Sequence, residues 1–340
     1  MSSVLQITYN ADDHDLQDRL PSWQAQIANL FITNTLTDTS ELSAAVDIYQ
    51  FGEIIGGAVS FTPSQFVRTK QTIATSGIDH YLVHLYMKGG FNGVAGGTDI
   101  NINSKDIAIF DLGSTLHTAA SSSETLGFLI PKHLIAKNGV SQIPTGTKVD
   151  GRSMAGAILS SYLFNLYANI SSVNQSNVNT VADSLSALVA STIKMQIDHN
   201  EYLSEPLSQA LRQRAIAIID ANICNRDLTP AYIATKLKSS RTHLYRAFQS
   251  DNGVASMILE RRLLFAFRAL KDPGNHKLSV ASIATNSGFI NPQYFSRVFR
   301  NMFGITPKDA KTAPPTISAV TDTLTISSLL ATSKNYKRLV

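Results

Sequence analysis

Six polar side chains in the last third of the chain fall into two sets with the same helical spacing. Each set follows an i, i+3, i+4 pattern, and the sets lie fifty-one positions apart: Thr242, Tyr245, Arg246 and Gln293, Ser296, Arg297. This spacing places each set on a single face of a helix. An arginine on such a face can give guanine two parallel hydrogen bonds or clamp a phosphate. The two sets therefore predict two helix faces that contact nucleic acid.

The two sets belong to a longer internal repeat that relates residues 233–254 to residues 283–305. Both copies begin with Ile-Ala-Thr and keep their apolar, arginine and glycine positions in the same order. A repeat of this length indicates a duplicated supersecondary unit. Residues that favour helix N-caps stand where four short helices would begin: Thr229, Ser240, Ser279 and Asn291. Each copy therefore predicts a helix-turn-helix.

Four pieces of sequence carry a resemblance to a known family: Arg262 with Leu263 in the joining helix, Ile-Ala-x-x-x-Gly-Phe at 283–289, residues 294–300, and Gly-Ile-Thr-Pro at 304–307. On these pieces, residues 207–311 resemble the DNA-binding domain of the AraC/XylS family of bacterial transcription regulators. The resemblance implies a joining helix over residues 255–270. It also implies that both recognition helices enter the major groove about one DNA turn, ~34 Å, apart.

The resemblance and the polar faces together predict the residues that contact DNA: Ser240, Arg241, Thr242, Tyr245, Arg246, Asn291, Gln293, Tyr294, Ser296, Arg297 and Arg300. The polar faces are expected to discriminate bases, and the surrounding Lys and Arg side chains to hold phosphates. Arg297 is expected on a base and Arg300 on a phosphate. The alternative for Arg246 and Arg297 is an ion pair with an acid inside the same domain.

The distribution of charge supports a partner that carries phosphate. The chain has a net charge of +4, but residues 206–311 hold sixteen Lys or Arg against six Asp or Glu. The remaining residues hold thirteen against nineteen. A basic module attached to an acidic one is the pattern expected when one end meets nucleic acid. From charge alone, a solvated basic face is an equally good explanation.

Residues 1–150 are predicted to be mostly β, with many short β-prone runs separated by glycine pairs. Such a pattern favours a small barrel or a double-sheet roll. Residues 67–69, 79–89, 105–111 and 128–134 resemble the cupin-like ligand-binding domain of one branch of the same family. The predicted fold class is therefore α+β, with a cupin-like amino-terminal domain, a helical linker and an all-α tandem helix-turn-helix domain.

Residues 151–205 are predicted to be a helical linker that also mediates dimerisation. Val181, Leu185 and Leu188 fall near heptad spacing, and in related regulators a helix at this place forms the dimer contact. The alternative, in which this face packs on the β domain, has equal weight. The domain of residues 206–311 follows. Residues 312–340 form a tail, predicted to be partly disordered or a docking strand.

A small β barrel can enclose one ligand, so the amino-terminal domain is expected to bind a small-molecule effector. The candidate lining residues are Tyr49, Phe51, His84, Tyr86 and Phe91, with Arg68 as an anion partner. For each of them a purely structural role is the alternative.

Catalysis, metals and cofactors are not expected. The His-x-His spacing of cupin metal sites and its downstream Glu are missing, and no nucleophile-elbow motif occurs. The single cysteine, Cys224, excludes an intramolecular disulfide and is expected to be a small buried hydrophobe.

The sequence thus predicts a cytoplasmic, homodimeric transcription regulator, an activator, that is controlled by a bound small molecule. Its expected partners are double-stranded promoter DNA, the effector and RNA polymerase. No membrane partner is expected, because no apolar run approaches the ~20 residues of a membrane span. The alternative is a β-barrel ligand-binding protein or cupin-type enzyme whose basic carboxyl-terminal domain is not a specific DNA reader.

Overall fold

The structure is a computed structural model that describes residues 4–140, 142–174, 176–201, 207–248 and 253–312. Contacts divide the chain into two compact units. Residues 4–72 and 78–199 belong to the first, and residues 207–312 to the second. No described helix combines the length and the apolar character needed to cross a membrane. The predicted tail, from residue 313 onward, lies outside the described residues.

The amino-terminal unit is built on twelve strands: β1 (Leu5–Asn10), β2 (Ile32–Thr35), β3 (Ala44–Phe51), β4 (Ile54–Phe61), β5 (Ser64–Arg68), β6 (His80–Lys88), β7 (Phe91–Ala95), β8 (Thr98–Ile102), β9 (Ile107–Asp111), β10 (Leu116–Ala120), β11 (Ser123–Pro131) and β12 (Thr147–Val149). Seven strands form one antiparallel sheet in the order β1-β3-β4-β11-β6-β9-β12, and five form another in the order β2-β5-β10-β7-β8. Neither sheet closes on itself. The β-rich domain is confirmed, as a double-sheet roll rather than a barrel.

Four helices accompany the sheets: α1 (Leu16–Ile27), α3 (Lys132–Ala136), α4 (Met154–Asn169) and α5 (Val178–Glu201). Helix α2 (Lys70–Ser76) lies between β5 and β6 in the chain, and its residues from Ile73 onward belong to the second compact unit. One face of the seven-stranded sheet packs on the five-stranded sheet and α1. Its other face packs on α3, α4 and α5. Every residue of β9 is buried, as expected for a strand covered on both faces. The helices predicted as a linker thus pack in the same compact unit as the sheets.

The predicted dimer seam on α5 faces the protein's own core. Leu185 is fully buried in the cluster between α5 and the seven-stranded sheet, and Val181 and Leu188 are half-buried beside it. This is the arrangement that the packing alternative describes. The apolar stripe of α5 therefore has a partner within the chain, and dimerisation through it remains a prediction without structural support.

The carboxyl-terminal unit is helical: α6 (Leu207–Ala221), α7 (Pro230–Lys236), α8 (Arg241–Ala247), α9 (Val254–Lys271), α10 (Val280–Asn286), α11 (Pro292–Phe303) and α12 (Pro307–Thr312). The four predicted N-caps are confirmed, because each side-chain oxygen accepts a hydrogen bond from a backbone N–H of the first turn: Thr229, Ser240, Ser279 and Asn291. Pairs α7–α8 and α10–α11 are the two helix-turn-helix units.

The turns of the two units share one unusual backbone conformation. Lys238 and Gly288, fifty positions apart, both have positive φ, 51° and 83°. A Cβ at Gly288 would lie 2.7 Å from Nε of Arg262 and 2.9 Å from the carbonyl oxygen of Ile223. Only glycine fits there without a shift of its neighbours, whereas Lys238 tolerates the left-handed region at some cost. The repeat in sequence is therefore a repeat in backbone geometry.

Helix α9 joins the two helix-turn-helix units because it contributes to both of their cores. Val254 and Ile258, near its start, pack in the first core. Leu263 and Phe267, near its end, pack in the second. Arg262, between them, donates to the carbonyl oxygens of Ile223 and Asn225 in the loop after α6, at 3.3 and 2.6 Å.

One local expectation changes, because Cys224, expected to be buried, is exposed in the α6–α7 loop.

The last helix, α12, begins with a reciprocal cap. The side chains of Thr306 and Asp309 each accept a hydrogen bond from the other's backbone N–H. Ala310, on the same helix, is fully buried.

The burial of Leu185 makes a prediction that separates its two interpretations. Leu185→Lys is expected to lower the free energy of unfolding by several kcal/mol, because it buries an unpaired ammonium. Ser191→Lys, at an exposed position of the same helix, should change it by less than about 0.5 kcal/mol. Urea unfolding followed by fluorescence of Trp23, the chain's single tryptophan, measures both. A Leu185→Lys protein that is fully stable but monomeric would restore the dimer seam.

Candidate functional site

The predicted DNA-contacting residues lie on the two second helices, α8 and α11, and almost all are exposed. Leu244 and Phe248 in the first unit, and Phe295 and Phe299 in the second, are fully buried and orient each helix on its core. The opposite faces carry the exposed polar and aromatic side chains: Arg241, Thr242, Tyr245, Arg246, Asn291, Gln293, Tyr294, Arg297 and Arg300. Ser296 is half-buried. The structure therefore brings both predicted sets onto accessible helix faces.

Some of these side chains already have a structural partner. Ser240 Oγ and Asn291 Oδ1 serve as N-caps, and Ser296 Oγ donates to the carbonyl oxygen of Pro292 at 3.0 Å. The guanidinium of Arg297 lies over the ring of Tyr294, 5.6 Å from its centroid. An arginine held over an aromatic face is restricted in direction before any ligand arrives.

Neither Arg246 nor Arg297 forms an ion pair with a carboxylate of the described residues. In the same unit Arg261 does so, with Asp220 at 3.3 Å. The alternative of an internal acid partner thus finds no support in the described part of the chain. An open groove of about 730 Å³ runs beside α11 and is lined by three cations: Arg297, Arg300 and Lys308. Its cationic lining suits a phosphate backbone.

Two residues beside the predicted DNA-contacting residues were not predicted. Lys308 lies on α12 and lines the groove beside α11. Ile290 directly precedes the N-cap of α11 and is 80% exposed. An apolar residue at that position usually packs against the fourth helical residue, here Phe295, yet Ile290 projects outward instead. Ile290 was not predicted because an apolar side chain suggests a core residue.

A second site lies between the two sheets of the amino-terminal unit, as a cavity of about 90 Å³. Side chains from α1 and from both sheets line it, including Trp23, Leu82, Phe110 and Leu116. Among the described lining residues, three have side chains that can form hydrogen bonds: Trp23, His84 and Thr118. The cavity is therefore apolar with few polar groups, the composition typical of small-molecule sites.

A missing side chain opens this cavity. Gly127 occupies a position on the cavity face of β11, a strand that pairs with both β4 and β6. A Cβ there would lie 3.4 Å from His84 and 3.5 Å from Leu82, which is ordinary contact distance. A larger residue at this place would fill the space between them.

Burial keeps His84 neutral. The desolvation of its ring lowers the pKa to about 4, since a charged imidazole is disfavoured away from water. The accessible part of the ring faces the cavity. The ring of Tyr86 lies beside it, tilted by 52° with ring centroids 4.9 Å apart, and burial raises the pKa of its phenol. At neutral pH the cavity thus contains no formal charge from these two residues.

Of the predicted ligand-binding residues, only His84 lines the cavity. Tyr86 and Phe91 pack in the same core behind it. Tyr49 and Phe51 lie on the other face of the seven-stranded sheet, where Tyr49 contacts Tyr167 edge to face. The other sixteen lining residues, among them Trp23, Thr118 and Gly127, were not predicted.

Arg68 does not face the cavity. Its side chain is 1% exposed, and its guanidinium donates to the carbonyl oxygens of Leu112, Leu30 and Asn29 at 2.8, 2.6 and 3.0 Å. A guanidinium held in this way ties the end of the α1 segment to the chain after β9. Its role is structural, and the predicted anion contact has no support. Among the described residues no His, Cys, Asp and Glu side chains cluster as metal ligands would.

Comparison with known proteins gives matches to both units. A family profile described as a helix-turn-helix domain matches residues 233–313. A profile described as an AraC-binding-like domain matches residues 23–194, just over half of the chain. The chain belongs to the AraC/XylS family of regulators. The AraC-binding-like match extends through α4 and most of α5, which agrees with the packing of these helices on the sheets.

Individual relatives of this AraC-family chain match mainly its carboxyl-terminal part. Regulatory protein SoxS of Escherichia coli (strain K12) is 34% identical over 103 residues, 30% of this chain and 92% of SoxS. The Msm operon regulatory protein of Streptococcus mutans is 36% identical over 77 residues, 22% of this chain and 27% of that protein. Regulatory protein PocR of Salmonella typhimurium is 25% identical over 161 residues, 43% of this chain and 52% of PocR. The chain thus spans about a quarter to a half of the last two.

A solved structure shares the fold over most of the AraC-family chain. The AraC-like transcriptional activator CuxR superimposes with a TM-score of 0.53 at 20% identity, covering 83% of this chain and 100% of that chain. At this identity the likeness shows a common fold only.

The buried His84 predicts a pH-dependent stability. The unfolded chain protonates this histidine near pH ~6.5, whereas in the folded protein its pKa is about 4. Because the unfolded state binds more protons between these values, the folded state loses stability as pH falls through that window. The loss should reach about 3 kcal/mol relative to His84→Phe. Urea unfolding of both proteins between neutral and acid pH measures it, and parallel pH profiles would contradict the assignment.

Proposed function

We propose that this AraC-family protein is a sequence-specific DNA-binding transcription regulator, controlled by a small molecule in its amino-terminal unit. The observation that carries the proposal is the pair of capped helices, α8 and α11, with matching exposed polar faces. Residues 207–312 are assigned to DNA reading and residues 4–199 to effector sensing. The proposal assigns no catalytic activity to the chain.

In the proposed complex both recognition helices enter the major groove from one side of the DNA. Helix α9, with eighteen residues, is ~27 Å long. It holds the two helix-turn-helix units at a set spacing because it packs in both of their cores. This rigid spacing supports contacts separated by about one DNA turn, ~34 Å. Arg297 and Gln293 would read base edges, and Ile290 would contact a thymine methyl group. Arg300 and Lys308 would hold phosphates.

The cavity between the sheets is the proposed effector site, in place of the larger residue set predicted from sequence. His84 is the one candidate from that set that lines it. The proposal includes activation of transcription, the role named for CuxR. It also includes RNA polymerase as a further partner. A promoter-reporter assay with and without the protein measures directly whether it activates or represses transcription.

We also propose that the protein is a homodimer, joined through α4 rather than α5. Helix α4 has sixteen residues without one charged side chain. Its outward face exposes three large apolar side chains, Met154, Ile158 and Phe164, at 68%, 50% and 56%. Interfaces between proteins are depleted of charge at their core. A charge-free face this apolar is unusual for a helix that contacts only water.

The order of residues on α4 suits a second copy of the same helix. In an antiparallel pair centred on Ser161, Met154 would oppose Ala168 of the partner subunit, and Ile158 would oppose Phe164 of the partner subunit. Small residues at the centre and ends let the helices approach while large ones fill the space between. Such a two-fold contact is self-complementary. A single ~24 Å helix pair is a small interface, so the dimer should depend on protein concentration.

Two neighbouring arginines test DNA reading. Arg297→Ala is expected to cost about 1–3 kcal/mol of binding and to relax preference at one position of the site. Arg300→Ala should weaken all sequences alike and flatten the salt dependence of binding by about one unit. Titrations on a randomised site at two salt concentrations separate these outcomes. If Arg297→Ala bound every sequence as the parent does, the second helix-turn-helix would support the fold without reading the DNA sequence.

The α4 dimer is tested by charge and by cross-linking. Ile158→Glu should yield monomers in sedimentation at concentrations where the parent is dimeric, because it buries a carboxylate in the seam. In a Cys224→Ser background, Ser161→Cys should form a disulfide between subunits under oxidation, since it lies on the proposed axis. Met154→Cys is the matched control: its own copy would lie ~21 Å away along the pair. Equal cross-linking at both positions would reject this register.

A further inference from the structure

The lining of the amino-terminal cavity restricts the chemistry of what it can bind. Among the described residues no Asp, Glu, Lys or Arg side chain lines it, and the guanidinium of Arg68 is held by backbone carbonyls instead. A carboxylate or phosphate that entered would lose its water without gaining a counter-charge, which is strongly unfavourable. Protonated His84 would not supply that charge at neutral pH, because burial holds its pKa at about 4.

The cavity also limits size. Its volume of about 90 Å³ is below the ~300–1,000 Å³ of sites for drug-sized ligands. An engineered apolar cavity of ~150 Å³ accepts benzene. A single ring is therefore the upper size for a ligand of this cavity, and it requires small movements of the lining side chains.

Three side chains offer hydrogen bonds, and one of them lacks a partner. Trp23 lines the cavity and is 1% exposed, and its indole Nε1 has no acceptor within the described part of the chain. Such an unsatisfied buried donor is uncommon and costly. Neutral His84 can donate or accept. Thr118 Oγ1 already makes a long contact, 3.5 Å, with the carbonyl oxygen of Phe66. These groups can serve one oxygen atom, but not the several hydroxyls of a sugar.

We propose that the cavity binds a small neutral molecule, no larger than a single ring, that is apolar except for one hydrogen-bond acceptor such as a carbonyl oxygen. Its role as effector rests on the proposed function, whereas the class of ligand rests on the cavity alone. The acceptor would be held by His84, and the ring by the aliphatic and aromatic walls, which include Trp23.

The single tryptophan provides the measurement, because Trp23 lies in the cavity wall. Full-length protein is titrated with three ring compounds of similar size: cyclohexanone, cyclohexanecarboxylate and xylose. Cyclohexanone is expected to change Trp23 fluorescence saturably at millimolar concentration or below. The carboxylate and the sugar are expected to leave the fluorescence unchanged over the same range.

Three variants place the signal in the cavity. Gly127→Val should abolish it, since the new side chain projects between His84 and Leu82, and valine suits a central strand. His84→Phe should weaken cyclohexanone binding about 2- to 10-fold, the effect of one lost hydrogen bond. His117→Phe is the matched control, since His117 neighbours Thr118 but is exposed, and it should bind as the parent does. Thermal unfolding checks that each variant is folded.

The outcomes separate the ligand class from effector control. Binding of cyclohexanecarboxylate or xylose as tight as that of cyclohexanone would overturn the inference, and so would no response to any of the three. A Gly127→Val protein that is folded and still responds would also overturn it. DNA affinity is measured on the same samples. Saturable cyclohexanone binding with unchanged DNA affinity would support the ligand class and contradict effector control.

Discussion

The seven-stranded sheet is apolar on both of its faces, and the architecture of the amino-terminal unit follows from the need to cover both. The five-stranded sheet and α1 cover one face, and α3, α4 and α5 cover the other. Removing either layer would expose buried strands to water, at roughly 25 cal/mol per Å² of apolar surface. The helices after the sheets are therefore a layer of this unit. Their burial fixes which faces remain for partners, and on α4 that face is apolar.

A sheet covered on both faces explains why most of the cavity lining was not predicted from the sequence. In a strand with one wet face, alternation of apolar and polar residues reveals which side points inward. In β3 both sides carry apolar side chains, so the sequence did not show that Phe51 and Tyr49 lie on the helix side and Ile48 on the cavity side. The heptad stripe of α5 was ambiguous for the same reason. An apolar stripe predicts that a face is buried, but not by what.

The carboxyl-terminal unit was predicted closely because its signals are local. A cap at Ser279 or Asn291 acts within one helical turn, and the glycine at position 288 is required by its own φ and by Arg262 beside it. Each of these local signals occurs in both copies of the repeat. The fifty-one-residue offset aligns α8 with α11 residue by residue. For the carboxyl-terminal unit, the sequence did not predict which residues surround each side chain. The stacking of Arg297 on Tyr294 and the exposure of Ile290 depend on packing of the whole unit.

The two proposed sites differ in the kind of residue that defines them. DNA reading is done by side chains that project from a surface, so residue type and helical spacing are enough to nominate Arg246 or Arg297. A cavity is defined by what is absent. The space beside His84 exists because Gly127 has no side chain and because the cavity lies between two separate sheets. A search of the sequence for polar or aromatic residues passes over such a glycine. The same reasoning makes Gly127 a position at which the proposed ligand specificity can be changed, since a Cβ added there would lie at ordinary contact distance from His84 and Leu82 and take up space in the cavity.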